Sequence, residues 1–155
     1  MSDLEIRAVG FADPVAQALV AAALADLAAR YGGPGDETPV DPADFAPPVG
    51  AFLVAEVNGE PAGCAGWRSR ADDPSAAELK RMYTAPRFRG RGVASALLAA
   101  VEDSARAAGR ARLVLETGDR QPEAIALYVK HGYARVPNFG YYRDHEGCVS
   151  FGRDL

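Results

Sequence analysis

The chain has 155 residues, 48% of them hydrophobic and 25% charged, a length and composition that bury one sizeable core and exclude an intrinsically disordered protein. Seventeen Lys and Arg against 21 Asp and Glu leave a net charge of −4, which argues against a nucleic-acid-binding surface. Cys64 and Cys148 form no CxxC pair, no leader-like segment opens the chain, and no apolar run approaches the roughly 20 residues of a bilayer span, so one cytoplasmic domain over residues 1–155 without a membrane partner is expected.

Residues 4–9 alternate as a first strand. Asp13-Pro14 then supplies a cap and a first-turn proline for a helix reaching about Arg30, with Val15, Leu19, Ala23 and Leu27 on one face. Gly32-Gly33-Pro34-Gly35 ends it, and residues 32–48 read as a loop rich in Pro, Gly and Asp. Residues 52–57 and 61–68 flank Asn58-Gly59, the dipeptide suited to the positive φ angles of a tight turn, and form an antiparallel hairpin. Residues 78–83 are a third strand of this region, with Glu78, Lys80 and Met82 on one face and Leu79, Arg81 and Tyr83 on the other.

The turn Arg87-Phe88-Arg89-Gly90-Arg91-Gly92 follows. Val93, Leu97, Val101, Ala105 and Ala108 then keep helical spacing up to Gly109, which sits where a left-handed cap belongs. Residues 112–117 form another strand, Pro122 opens a helix through Tyr128 to His131, and residues 148–153 are a last strand.

Charge is unevenly placed. Residues 79–101 carry five cations and no acid, whereas residues 31–67 carry six acids and neither Lys nor Arg. A strand, a Gly-x-Gly turn with arginines and a helix start together make an anion site: the first-turn N–H groups lack helical partners, the helix dipole favours negative charge, and glycine lets phosphate oxygens approach. No Gly-Lys-Ser/Thr follows for a P-loop, and Ser95 stands where a dinucleotide fingerprint needs its third glycine. A solvated glycine turn is the competing reading of the motif taken alone.

Arg87-x-x-Gly90-x-Gly92, preceded by Glu78-Leu79-Lys80-Arg81-Met82-Tyr83-Thr84 and followed by Ala124-x-x-Leu127-Tyr128, resembles the GNAT superfamily of N-acetyltransferases. The resemblance implies an α+β fold: a twisted, mostly antiparallel sheet of six to seven strands, splayed at a parallel pair and flanked by about four helices. It implies acetyl-CoA as cosubstrate, with no metal. Met82, Tyr83 and Thr84 would pair their backbone with the pantetheine arm. Arg87, Arg89, Gly90, Arg91, Gly92, Val93 and Ala94 would hold the pyrophosphate, and Gln121 stands at the position of a coenzyme-contacting asparagine. A backbone N–H near Met82 would polarise the thioester carbonyl.

The resemblance places Tyr128 where a phenol protonates the departing thiolate; packing of a half-buried helix tyrosine is the alternative. An amine acceptor must lose a proton before attack, and Glu78 and Glu116 are the candidate bases, either of which can instead bind substrate or face water. His131 and His145 lack metal-ligand spacing, and Cys64 and Cys148 lie in apolar strands, so direct transfer without an acyl-enzyme is expected.

The acceptor is expected to be a primary amine of a small molecule or peptide. The acidic loop of Asp36, Glu37, Asp41 and Asp44 can attract a cationic acceptor or simply face water, and Phe139, Tyr141 and Tyr142 can wall the acceptor or cover a sheet edge. A monomer or homodimer is expected. The rival function is a non-catalytic acyl-CoA-binding sensor.

Overall fold

A computed structural model describes residues 3–155. Seven strands form one sheet in the order β1-β2-β3-β4-β5-β7-β6. They are β1 (Leu4–Val9), β2 (Gly50–Val57), β3 (Glu60–Ser69), β4 (Ala76–Thr84), β5 (Arg112–Gly118), β6 (Ala134–Val136) and β7 (Cys148–Asp154). Every neighbouring pair is antiparallel except β4 with β5. Three α-helices, α1 (Pro14–Tyr31), α2 (Val93–Ala107) and α3 (Pro122–Lys130), accompany it, with short 3-10 turns at Pro42–Phe45 and Pro86–Phe88. The expected helix count of about four is thus corrected to three. Residues 32–48 hold too many prolines to propagate more than one tight turn.

Local chemistry accounts for most boundaries. The Asp13 carboxylate accepts from Val15 N at 2.9 Å and Ala16 N at 3.2 Å, capping α1. Asn58 and Gly59 take φ of 51° and 79°, the paired left-handed angles of the tight β2–β3 turn. The three residues of β6 are too few to show a period in the sequence.

The core lies on both faces of the sheet. Ala51, Leu53, Ala55, Ala65 and Trp67 pack with Leu97, Leu98 and Val101 of α2. Phe52, Val54 and Cys64 face the other way, onto Ala16, Leu19 and Val20 of α1 and Phe45. Strand β2, covered on both faces, is therefore apolar on successive residues instead of alternating. Leu97 and Leu98, fully buried, contribute about 2 kcal/mol each.

Two departures from regular pairing make the site. The β4–β5 register runs only through Ala76↔Arg112, Ala77↔Leu113 and Glu78↔Val114, after which both strands continue unpaired with each other. On the other side of β4, Cys64 pairs with Tyr83 but Gly66 with Lys80, so three steps on β4 oppose two on β3. This is a bulge, and Arg81 within it has φ of 59°. The extra residue corrects the expected alternation: Met82 packs on the core face of Leu79, whereas Tyr83 packs with Cys64 on the face of α1.

Candidate active site

The gap where β4 leaves β5 opens into a cleft of about 690 Å³. Residues 79–83 of β4 form one wall, and residues 115–121 of β5 and the following turn form the other. Helix α1 with residues 31–37, and the segment 141–148 before β7, close the remaining sides. A sheet that parts in its middle offers backbone groups on both lips, which gives an extended ligand the pairing of an added strand.

The glycine turn stands beside the β4 lip. Arg89 Nε donates to the Thr84 carbonyl at 3.0 Å, and its guanidinium lies 5.9 Å from the centre of the Tyr83 ring. Gly90 and Gly92 have φ of 78° and 80°, and a Cβ built at either would meet nothing within 4 Å. Gly92 caps α2 without a side-chain bond. The N–H groups from Gly90 to Ser95, including those of Arg91, Val93 and Ala94, find no acceptor among the described residues. Six consecutive donors at a helix start, over open space, suit a diphosphate.

The predicted arginines divide. Arg87 pairs with Glu60 of the hairpin and lies over the Phe88 ring, and Arg91 also lies against Phe88, 5.6 Å from its centre. Both border a separate shallow groove with Val57 and Asn58, not the cleft. Arg89 alone of the three touches the β4 lip. Met82, Tyr83 and Gln121 line the cleft, and Thr84 ends β4 beside the turn.

Tyr128 reaches the cleft from α3. It is 5% exposed, and its ring packs against Tyr133 and Phe151 at centroid distances of 5.9 and 6.4 Å. Its hydroxyl makes no hydrogen bond to the described residues, and burial raises the phenol above its ordinary range, so it stays protonated and free to donate. Behind it, the Tyr133 hydroxyl donates to Glu102 Oε2 at 2.7 Å and Arg153 donates to the same oxygen at 2.8 Å.

The two candidate bases are separated by one lysine. Glu78 accepts from Arg68 Nε at 2.9 Å and has Lys80 Nζ at 3.5 Å. It is buried in that ion-pair network and does not line the cleft. Glu116 does line it; its Oε1 accepts from Lys80 Nζ at 2.9 Å, and its Oε2 is enclosed and unbonded among the described residues.

The acidic loop is largely neutralised from within. Asp36 is bound by Arg81 and by the Thr38 amide and hydroxyl. Burial pushes its carboxyl up, but the Arg81 charge and the Thr38 bonds outweigh this and hold it below the usual range. Asp41 and Asp44 cap each other's turn, and Asp44 pairs with Arg68 at 3.4 Å. Glu37 alone of the four presents an exposed, unpaired side chain to the cleft, its N–H bonded to the Tyr142 hydroxyl at 2.6 Å. Tyr141 and Tyr142 line the cleft, as the wall reading expects, but Phe139 instead lies under Arg70, 4.2 Å from ring centre to guanidinium.

Tyr31, His145 and Glu146 also line the cleft and were not identifiable from the sequence. Tyr31 ends α1 with no motif around it, yet its hydroxyl accepts from Arg120 N at 3.2 Å. Cys64 is fully buried with its thiol pushed up to about 12 by burial, and Cys148 is also raised, first by burial and then by Glu116. Neither is an activated nucleophile.

Residues 16–133 match the model of the acetyltransferase (GNAT) family. An IAA acetyltransferase of Azospirillum brasilense is 44% identical over 91 residues, covering 59% of each chain. The uncharacterised N-acetyltransferase YjgM of Escherichia coli K12 is 32% identical over 126 residues, covering 76% of this chain and 75% of that one. The chain thus spans well under two thirds of the Azospirillum relative's length. Among solved structures, a Klebsiella pneumoniae protein described as an acyl-CoA N-acyltransferase superposes with a TM-score of 0.80 at 29% identity, over 99% of this chain and 98% of that one. An Elizabethkingia anophelis family member with acetyl-CoA bound gives 0.72 at 20% identity over 99% of both, a likeness of fold.

Proposed function

Because the chain belongs to the acetyltransferase (GNAT) family, we propose that it transfers an acetyl group from acetyl-CoA to a primary amine by direct attack, with Tyr128 as the proton donor to the leaving thiolate. The observation that carries this reading is the conjunction of three features in and beside one cleft. β4 and β5 separate after Glu78↔Val114, six unbonded N–H groups flank the β4 lip, and an unbonded phenol stands inside.

The residues present fit the coenzyme. The donors from Gly90 to Ser95 suit its pyrophosphate, with Arg89 adding charge beside Tyr83. The unpaired edge of β4 from Leu79 to Thr84 suits the pantetheine amides, and the bulge at Arg81 turns the backbone there out of the β3 ladder. A donor fixed at that place meets the thioester oxygen as negative charge develops on it, with no reorganisation at the moment of reaction. Tyr128, protonated and unbonded, supplies the proton that lets the thiolate leave.

The test is thiol release from acetyl-CoA with a broad amine panel, beside calorimetric binding of acetyl-CoA to the protein alone. Binding with amine-dependent release is the expected result. Binding without release from any amine would leave only a coenzyme-binding module.

A further inference from the structure

Resting on the acetyltransferase reading, we propose that Oε2 of Glu116 anchors the acceptor's ammonium group, and that the acceptor is a primary amine on an apolar or aromatic carrier with no carboxylate beside the amine. Glu116 lies on β5 two residues past its last pairing with β4, and its side chain is 7% exposed. Lys80 fixes Oε1, whereas Oε2 is enclosed without a donor among the described residues. A buried carboxylate oxygen with no donor is destabilising; the hydroxyl of its register partner Ser150 is enclosed too but does not bond to it, which leaves the oxygen open to a donor from a ligand. A Cβ built on Gly140 would lie 3.2 Å from Oε2, so the turn leading into Tyr141 covers this oxygen. Anchoring an ammonium there requires that turn to move aside.

The surrounding charges define the carrier. From β4, Lys80 faces Glu116, with Glu78 behind it; from β7, Cys148 and the register partner Ser150 face it. Glu37, Tyr142, His145 and Glu146 border the same cleft. Its inner cations are engaged, Lys80 by two glutamates and Arg81 by Asp36; Arg120, in the turn before α3, is exposed and lies over the Tyr31 ring. A carboxylate next to the amine therefore meets acids where it needs a cation, whereas a flat apolar carrier meets Tyr141 and Tyr142, whose rings are 4.8 Å apart.

The step balances. The ammonium gives one proton to Glu116, and the freed nitrogen pair forms the C–N bond while the C–S bond breaks. The thiolate takes the Tyr128 proton, and the second nitrogen proton returns to the tyrosinate. Amide, free thiol and one proton, later lost from Glu116 to solvent, are the products.

Tyramine and tyrosine share ring and amine and differ by the carboxylate, so they are the probes. Wild-type kcat/KM for tyramine is expected to exceed that for tyrosine by about tenfold or more. Glu116→Gln should lower the tyramine value by about 30-fold, with acetyl-CoA affinity unchanged. Glu78→Gln, at a carboxylate that does not line the cleft, should lower it far less. Equal use of tyrosine, or a Glu116→Gln enzyme within about threefold of wild type, would overturn the inference. If Glu116→Gln does not fold, the wild-type ratio still decides. Absence of thiol release with every amine would instead overturn the acetyltransferase reading, and the acceptor inference with it.

Discussion

Replacing Tyr128 by Phe should separate activity from stability. The hydroxyl has no partner among the described residues, while the ring keeps its contacts with Tyr133 and Phe151. The variant therefore forfeits none of the roughly 1 kcal/mol that a typical internal hydrogen bond contributes, and its Tm should stay within about 2 °C of wild type. Turnover should fall about 100-fold or more, the usual range for a lost general acid. Acetyl-CoA affinity should hold.

Tyr133→Phe is the contrasting variant. It removes the 2.7 Å bond to buried Glu102, worth about 2 kcal/mol because the acceptor is charged. Its Tm should drop by roughly 4–8 °C with turnover largely kept. Steady-state thiol release and differential scanning calorimetry read both variants. A Tyr128→Phe enzyme within about threefold of wild-type kcat would remove the phenol from the chemistry, and matched losses of turnover and Tm would make it a packing residue.

Gly92→Val should abolish acetyl-CoA binding in calorimetry. At φ of 80° a branched side chain strains the turn by about 1–2 kcal/mol, and it fills the space now open beside the unbonded N–H groups of the helix start. Gly109→Ala, at φ of 82° with nothing within 4 Å, carries similar strain away from the cleft and should lower Tm while binding persists; loss of binding there too would assign the Gly92 effect to stability. Asp36 has a lowered carboxyl in the folded state, so its stabilisation is present above the unfolded value near pH 4 and is lost as pH falls through the folded value. Asp36→Asn should lower Tm at neutral pH, with the gap to wild type closing below about pH 4; a constant gap would contradict the ion pair. Cys64, pushed up to about 12 and fully buried, should resist thiol reagents at pH 8 until the protein unfolds, and rapid native labelling at that position would refute its burial.

Much of the molecule was legible in one dimension because its signals are local. Asp13-Pro14, Asn58-Gly59 and Gly109 impose backbone angles through their own side chains or lack of them, and each stands where such a residue was expected. The glycine turn before α2 was likewise readable, since a helix start with free N–H groups needs only neighbouring residues to form. β6 was not, because a three-residue edge strand exists only through pairing with β7.

The sequence by itself determined the order of the elements apart from β6, the place of the glycine turn before α2 and the position of Tyr128 on α3. Tertiary structure alone decided which side chains meet. One extra residue at the Arg81 bulge moved Met82 to the face of Leu79, a choice made by the β3 register and by an ion pair to Asp36, 45 residues away. Packing of β4 against β5 put Lys80 between Glu78 and Glu116, tied the first into a buried network and left the second, which lines the cleft, with an enclosed oxygen unbonded among the described residues. The reason is physical: backbone angles follow from near neighbours, whereas burial, charge pairing and the access of a carboxylate to substrate depend on groups brought together only when the sheet closes.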